Sequence, residues 1–449
     1  MSVNADVSVI PPQMRYGASS SICRLQRINN LRPLGSDSGT FGDSFHFDLP
    51  ARQIVDLSTL SLYYTATVDG MTAGANGATS VIPASWKHFK KVTFMVGGSA
   101  VSGALCNHYH QLYTALVAAS GNTEWLFSKL NKNAIEFVLG TDETDAFRAM
   151  TATAVASKSC HMTADDFLGL PRSKNIIDQS LWGQVSIQVQ LADKGILRTR
   201  KIGDGSATDA QIDAISFRVS GMRAAVSVLQ SVPPQYISLL ASRLTQTDSP
   251  IRLPYQDFRT FIQTNSGAPK IQVNTNCLDA LVAVPLLSAY NTPVVSAAGV
   301  RPAMFRFNSG RTLANVADLK AQFLCGSDSY PRSQIENAFE VADITQDSLH
   351  GNNRDSTGLL FSSASDDSTV QYRRLAFLNE NFVYYQRLSL NGEGYKDGQL
   401  TGVSTAGSGL DIVFNNQNFT EASGNVLLAA MTTSCLVYSP ASASVSVEA

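Results

Sequence analysis

Residues 215–250 read ISFRVSGMRAAVSVLQSVPPQYISLLASRLTQTDSP. Three changes of texture within this stretch decide the fold. Ile215, Phe217 and Val219 alternate with polar neighbours, the period-two pattern of a strand buried on one face. Gly221 breaks the phase, and Met222, Ala224, Val226 and Val228 resume it, which predicts a β-bulge at the glycine. Pro233-Pro234 stops the strand, because proline has no N–H to give to a ladder. From Gln235 to Thr245 the apolar Ile237, Leu240, Ala241 and Leu244 share one helical face, and Ser249-Pro250 closes it. The stretch reads as the last strand of one β domain followed by a helical linker.

Strand patterns lie on both sides of it. Before it, Phe45, Phe47 and Leu49 alternate with His46 and Asp48. Leu60, Leu62, Tyr64, Ala66 and Val68 follow, then Val92, Phe94 and Val96 up to the turn Gly97-Gly98. Val185, Ile187, Val189 and Leu191 alternate without a break. After it, strand-like runs recur at Phe258–Thr264, Ile271–Val273, Met304–Phe307, Val370–Phe377, Phe382–Leu390, Leu410–Phe414 and Val426–Tyr438. Many short strands separated by turn signals indicate sandwich or barrel architecture. Each half also carries one helix. Leu105–Val117 puts Leu105, Tyr109, Leu112, Tyr113, Leu116 and Val117 on one stripe. Ser333-Gln334-Ile335-Glu336 reads as a capping box, with Ser333 as N-cap and an apolar face of Ile335, Ala338, Phe339 and Ala342 behind it.

The composition narrows the function. Of 449 residues, 44% are hydrophobic and only 16% charged, against about 25% charged in ordinary soluble domains. Extensive burial, inside the chain or between chains, follows from this. The 34 Lys and Arg nearly balance the 36 Asp and Glu, for a net charge of −2. The first 30 residues offer only Arg15, Arg24 and Arg27 against Asp6, so no basic arm for nucleic acid is expected. The six cysteines, Cys23, Cys106, Cys160, Cys277, Cys325 and Cys435, form no C-x-x-C pair and read as buried thiols. No signal peptide and no apolar run long enough for a transmembrane helix are expected.

Each string that resembles a chemical motif has a plainer reading. Asp37-Ser38-Gly39-Thr40 matches the loop of aspartic proteases, and Asp355-Ser356-Thr357-Gly358 is a broken version of it. No apolar strand leads into the first, so it reads as a turn. Cys106, His108 and His110, with Cys160 and His161 elsewhere, are zinc-ligand types. On a helix, however, only Cys106 and His110 would share a face. Gly402-Val403-Ser404-Thr405-Ala406 lacks the final glycine of a nucleophile elbow and reads as a hairpin loop. Lys194, Arg198, Arg200 and Lys201 lack interleaved aromatics and read as a solvated strand end. Asn418-Phe419-Thr420 is a glycosylation sequon, relevant only in a secretory compartment. The expectation is no catalytic residue, no cofactor site, no metal site and no enzyme.

Four segments then carry a family resemblance: FGDSFHFDLPARQIVDLSTLSLYYTATV (41–68), WKHFKKVTFMVGGSAVSGALCNHYHQLYTALVA (86–118), AQFLCGSDSYPRSQIENAFEVADI (321–344) and FVYYQRLSLNGEGYKDGQLTGVSTAGSGLDIVF (382–414). In order and spacing they resemble the double jelly-roll major capsid proteins of tailless icosahedral DNA viruses, the group spanning adenovirus, virophages and polinton-like viruses. The resemblance implies an all-β chain with short inserted helices, built as two tandem eight-stranded jelly rolls. The expected division is an N-terminal arm (1–22), a first jelly roll (23–230), a helical linker (231–250), a second jelly roll (251–440) and a C-terminal tail (441–449). The resemblance also implies a major capsid protein whose homotrimers, pseudo-hexagonal in outline, tile an icosahedral virion assembled inside the host cell. Its partners would be its own copies, neighbouring capsomers, penton and minor capsid proteins and, where one exists, an internal membrane. The alternatives are a minor capsid protein of the same lineage and a carbohydrate-binding β-sandwich protein.

Overall fold

The structure is a computed structural model. It describes residues 25–72, 78–80, 82–120, 155–171, 173, 176–197, 199–201, 209–230, 240–242, 244–245, 250–286, 300–301, 305, 307–311, 315–350, 378, 382–389, 395–396, 399–406, 411–420, 424–442 and 444–448. The strands expected at Val370–Phe377, the proline pair at Pro233-Pro234, Asp355–Gly358, Arg198 and Cys23 lie outside the described residues.

In chain order, the elements up to the linker are β1 (Leu25–Leu31), β2 (Gly39–Thr40), β3 (Ser44–Asp48), β4 (Ile54–Asp69), β5 (Ala78–Ser80), β6 (Phe89–Val96), β7 (Ser99–Ser102), α1 (Tyr109–Ser120), β8 (Ala156–Thr163), β9 (Ile176–Asp178), α2 (Gln179–Trp182), β10 (Val185–Leu191), β11 (Thr199–Lys201), α3 (Asp209–Ala214) and β12 (Ser216–Leu229). After it come β13 (Ile251–Thr264), β14 (Lys270–Gln272), β15 (Leu278–Leu286), β16 (Val300–Arg301), β17 (Lys320–Cys325), β18 (Asp328–Ile335), α4 (Ala338–His350), β19 (Tyr384–Arg387), β20 (Tyr395–Lys396), β21 (Gln399–Leu400), β22 (Asp411–Gln417), β23 (Asn425–Ser439) and β24 (Ser444–Glu448).

The hydrogen-bonded order of the sheets states the architecture. Before the linker one sheet runs β1-β12-β4-β8 and the other β3-β10-β6-β7. After it one runs β13-β23-β15-β19 and the other β14-β22-β17-β18. The two halves repeat one wiring strand for strand: β1 corresponds to β13, β12 to β23, β4 to β15, β8 to β19, β3 to β14, β10 to β22, β6 to β17 and β7 to β18. Helix α1 follows β7 as α4 follows β18. All of these pairings are antiparallel. This is the jelly-roll arrangement of two stacked four-stranded sheets, made twice. The chain is all-β with short inserted helices.

Alternation explains the first sandwich. In β10, Val185, Ile187, Val189 and Leu191 point into the core, each fully buried. β3 contributes Phe45 and Phe47, and β6 contributes Val92, Phe94 and Val96, all buried. The predicted bulge is present. The β12–β4 register shifts between Ser220 and Arg223, and Gly221 sits at φ +64°. A residue with a Cβ is disfavoured in that left-handed region.

The second sandwich is less alternating. Every residue of β15 is buried, as is nearly every residue of β23. Strands covered on both faces read as continuous apolar runs, as LDALVAVPL does. Helix α4 covers β19: the Thr345 hydroxyl donates to the Val383 carbonyl at 3.0 Å and accepts the Tyr385 N–H at 3.0 Å. Ser444–Glu448 turn back along β23, opposite Cys435–Ser439, just beyond the stretch of β23 that β15 occupies.

Two local expectations are corrected here. Ser333 does not cap a helix, because residues 328–335 form β18 and Ile335 pairs with Ala321. The same capping chemistry appears four residues later. The Asn337 side chain accepts the Phe339 N–H at 2.9 Å, and Glu340 accepts the Glu336 N–H at 3.1 Å. Leu105 lies ahead of α1 and is 54% exposed. Helix α1 is not amphipathic in place: every residue from Tyr109 to Val117, polar ones included, is buried.

Candidate functional site

The reason for that burial is the seam where the two sandwiches meet. β13 is an edge strand, and an edge presents N–H and C=O groups without ladder partners. The first half covers this edge. The Thr260 N–H donates to the Leu105 carbonyl at 3.1 Å, and the Gln256 N–H donates to the Ser173 hydroxyl at 3.2 Å. In return the Thr260 hydroxyl accepts the His108 N–H at 3.2 Å, and Asp257 Oδ1 accepts the Gly103 N–H at 2.8 Å. Burial pushes the Asp257 carboxyl above the usual range, against the Gly103 and Phe258 N–H bonds and Arg259, which pull it down.

Gly103 makes the turn between β7 and α1 feasible against its own sheet. Its φ is +76°, and a Cβ there would lie 1.9 Å from the Val92 carbonyl oxygen. Phe305 of the second half then plugs the space beside α1. His110 meets its ring edge-on at 5.6 Å, and the buried Lys87 ammonium sits 4.6 Å from its centroid, a cation–π contact. Helices α1 and α4 pack together. Trp182 meets Tyr438 at 6.3 Å. β11 lies between β5 of its own half and β16 of the other, in a three-stranded sheet. The two sandwiches are joined by main-chain pairing as well as by side chains.

The sequence-flagged residues occupy structural positions. Burial lowers His110 to about 3 and raises Cys106 to about 12, so His110 is neutral and Cys106 is a thiol. His108 is lowered too, again by burial first. His161 lies instead on the outer sheet face, stacked on Tyr63 at 4.6 Å. Among the described residues no three His, Cys, Asp or Glu side chains converge as a metal site. Asp37 belongs to an exposed turn in which the Ser38 hydroxyl donates to it at 3.1 Å and Arg32 stands 3.7 Å away.

Val403 exchanges main-chain bonds with Leu278 at 2.8 and 3.0 Å, and Gly402 lies too close to the Leu278 carbonyl to carry a Cβ. This segment is therefore laid against the start of β15 and is not a hairpin tip. Arg200 and Lys201, expected at a solvated strand end, sit in the middle strand of the three-stranded sheet. In the sequon, Asn418 donates to the Asp318 carbonyl at 3.0 Å, and Thr420 is buried.

One polar cluster escaped sequence reading. Asp279 is 2% exposed, accepts the Thr433 hydroxyl at 2.6 Å, and accepts the Cys277 thiol at 3.2 Å. Burial raises Asp279 to about 6 and Cys277 to about 12. A thiol that high is no nucleophile at neutral pH. The period-two position of Asp279 inside an apolar run was its only signal. Cys160 and Cys325 are likewise buried free thiols, raised to about 11. No helix among the described residues is long and apolar enough to cross a membrane.

No protein-family model matches the chain, and no curated protein matches it either. Solved structures do match. The PBCV-1 virus capsid superposes with a TM-score of 0.54, covering 92% of this chain and 94% of that chain at 11% identity. The Sputnik virophage structure from cryo-EM gives 0.54, covering 98% and 92% at 10% identity. The fold is the double jelly roll. With more than nine-tenths of the chain covered, the match takes in both halves.

Proposed function

We propose that this chain is a major capsid protein, a structural subunit whose homotrimers form pseudo-hexagonal capsomers tiling an icosahedral virion. The observation that carries the reading is the two-way coverage: the chain and the PBCV-1 capsid chain each account for more than nine-tenths of the other. The seam supports it physically. Two sandwiches locked by main-chain pairing and a buried helix make a rigid block, which a shell needs, since many weak contacts hold each subunit at once.

The functional divisions follow the sequence reading: an arm (1–22), a first jelly roll (23–230), a linker (231–250), a second jelly roll (251–440) and a tail (441–449). The partners are further copies of the chain, penton and minor capsid proteins, and an internal membrane if the particle has one. The near-neutral charge supports a shell that does not grip nucleic acid sequence-specifically. The raised thiols and lowered histidines at the positions flagged for chemistry support a non-enzymatic role.

Size-exclusion chromatography with light scattering, followed by electron microscopy, tests the proposal. Trimers of hexagonal outline that persist on dilution are expected. A monomer at all concentrations, with no particle containing it, overturns the reading.

A further inference from the structure

The sheet β1-β12-β4-β8 of the first sandwich has a cationic outer face. Its four strands contain only two acids, Asp56 and Asp69, near the two ends of β4. Against them stand Arg27, Arg218 and Arg223, all exposed, and Lys158, which shares the parity of the buried Cys160 and Met162. Asp69 is about 13 Å along the strand from Thr65, and Asp56 is farther still from Tyr63. Both lie beyond the screening length of roughly 8–10 Å. Two rows in register cross this face. Arg223, Tyr63 and His161 form one, and Ser220, Thr65 and Ser159 form the next. Between the rows β12 bulges at Gly221 and Met222. The neighbouring edge is interrupted at the same place, because β1 ends at Leu31 and β2 resumes at Gly39. The connecting residues 32–38 turn over the gap, where the Asp37 carbonyl accepts the Met222 N–H at 2.9 Å. Gly221 keeps the gap open, since even a Cβ there would meet nothing within 4 Å. The result is a cleft of about 320 Å³ whose walls include Asn30, Arg32, Asp37, Thr65, Ser159 and Arg223. That volume is at the lower end of small-molecule sites, about 300–1,000 Å³.

We propose that this cleft binds an acidic saccharide, a sugar ring bearing one carboxylate or sulfate. The site adds a ligand to the chain and does not depend on the capsid reading.

The side chains fit the assignment. Arg223 stands 5.4 Å from the centre of the Tyr63 ring, and Arg27 donates to the Tyr63 hydroxyl at 3.2 Å. The Arg223 guanidinium is thus placed against a ring and not against a carboxylate, and among the described residues its five N–H donors meet no acceptor. A guanidinium of this kind takes a carboxylate or sulfate through paired, charge-assisted bonds. Arg32 stands 3.7 Å from Asp37 Oδ2, with both side chains open to solvent. The other Asp37 oxygen accepts the Ser38 hydroxyl at 3.1 Å, and an ionised carboxylate has lone pairs left for further donors. Asp37 therefore decides the class of ligand. It repels a multiply charged phosphate and accepts hydroxyl groups, which a sugar ring supplies. Asn30, Thr65 and Ser159 offer the remaining polar contacts. A nucleic acid fits less well, because Tyr63 is flanked by Arg223 on one strand and His161 on the other and has no free face on which a base could stack.

Saturation-transfer NMR on the full chain tests the site, with the methyl glycosides of glucuronic acid and of glucose 6-sulfate as probes. Methyl glucoside is the neutral control, and inorganic phosphate is the competitor. Transfer to the acidic sugars and not to the neutral one is expected, and it should weaken as salt is raised. Arg223→Gln, at an exposed position, should weaken binding about tenfold or more, and Asp37→Asn about threefold or more. Ser159→Trp fills the cleft from an exposed wall position without changing charge, and it should abolish transfer. Light scattering on the same samples reports association separately, so a failed site leaves the trimer reading untouched. Absence of transfer to both acidic sugars overturns the proposal, as does binding that is unchanged in Arg223→Gln and Ser159→Trp. Equal transfer to methyl glucoside overturns the role of the acid group. Phosphate that binds through Arg223 while no sugar does reduces the cleft to a simple anion site and overturns the saccharide.

Discussion

Replacing Asp279 by Asn removes one titration from the core of the second sandwich, and the size of the effect can be worked out. Burial raises the carboxyl from 3.8 to about 6. A group whose pKa is higher in the folded state stabilises that state while protonated. The contribution is fully present below the unfolded value and is lost as pH rises through the folded one. Each tenfold change in proton affinity is worth about 1.36 kcal/mol, so ionised Asp279 costs the fold roughly 3 kcal/mol above pH ~6. Asn is neutral throughout. It keeps one oxygen for the Thr433 hydroxyl or the Cys277 thiol, and any fixed loss at the other partner does not vary with pH. Urea midpoints measured from about pH 4 to about pH 8 for parent and variant should therefore diverge, the variant gaining about 2.4 kcal/mol relative to the parent across that range, because the unfolded carboxyl is already partly ionised at its lower end. Other groups titrate in both proteins and drop out of the difference. Two curves that run parallel would refute the argument, for they would mean that Asp279 is not buried as a lone acid.

The seam offers a paired test. Asp257→Ala leaves the Gly103 N–H buried without its acceptor and should cost about 1–3 kcal/mol, whereas Asp257→Asn should cost under about 1 kcal/mol, both read from denaturant midpoints. Two glycines with positive φ should separate cleanly. Gly221→Ala has open space around its new Cβ and should cost about 1–2 kcal/mol in thermal melts, while Gly103→Ala drives its Cβ into the Val92 carbonyl and should abolish soluble folded protein. His88, lowered to about 3 by burial and placed 3.0 Å from the Pro83 carbonyl and 2.9 Å from the Tyr64 hydroxyl, has the opposite sign to Asp279. Its contribution is present above its unfolded value and is lost as pH falls through about 3, so His88→Gln should flatten the acid side of the stability curve. Cys106, Cys160 and Cys325 should resist alkylation near pH ~8 until the protein is denatured, as followed residue by residue by mass spectrometry.

The tandem β architecture was legible because its strands bury one face each. β10 and the Gly221 bulge could be read from alternation alone, since the alternating half-buried strand is a local signal. The seam could not be read in this way. Helix α1 looks amphipathic in sequence, yet His110, Gln111 and Thr114 are buried; the ring that covers His110, Phe305, is 195 residues away in the chain, and α4, which packs on α1, is more than 200 residues away. The three-stranded sheet was illegible for the same reason: β16, which pairs with Thr199 and Arg200, belongs to the other half. Ser333 and Glu336 form a good capping pattern locally, but Ile335 gains more as a strand residue against Ala321, and Asn337 with Glu340 was available to start the helix instead. The Asp279 cluster was hidden because one acid in an apolar run reads as an interruption until Thr433 is brought beside it.

The small sheet of β5, β11 and β16 bears on the order in which the protein is made. β16 is completed about 100 residues after β11, so a ribosome has synthesised the whole first jelly roll well before that strand exists. Until then β11 has an open side, and so does β13's future binding surface around Gly103 and Leu105. A chaperone, or the corresponding strand of a neighbouring nascent chain, would find that side accessible during synthesis and closed afterwards. Pulse proteolysis of stalled chains ending before and after residue 301 would reveal it as a change in protection around Thr199, far from the point of truncation.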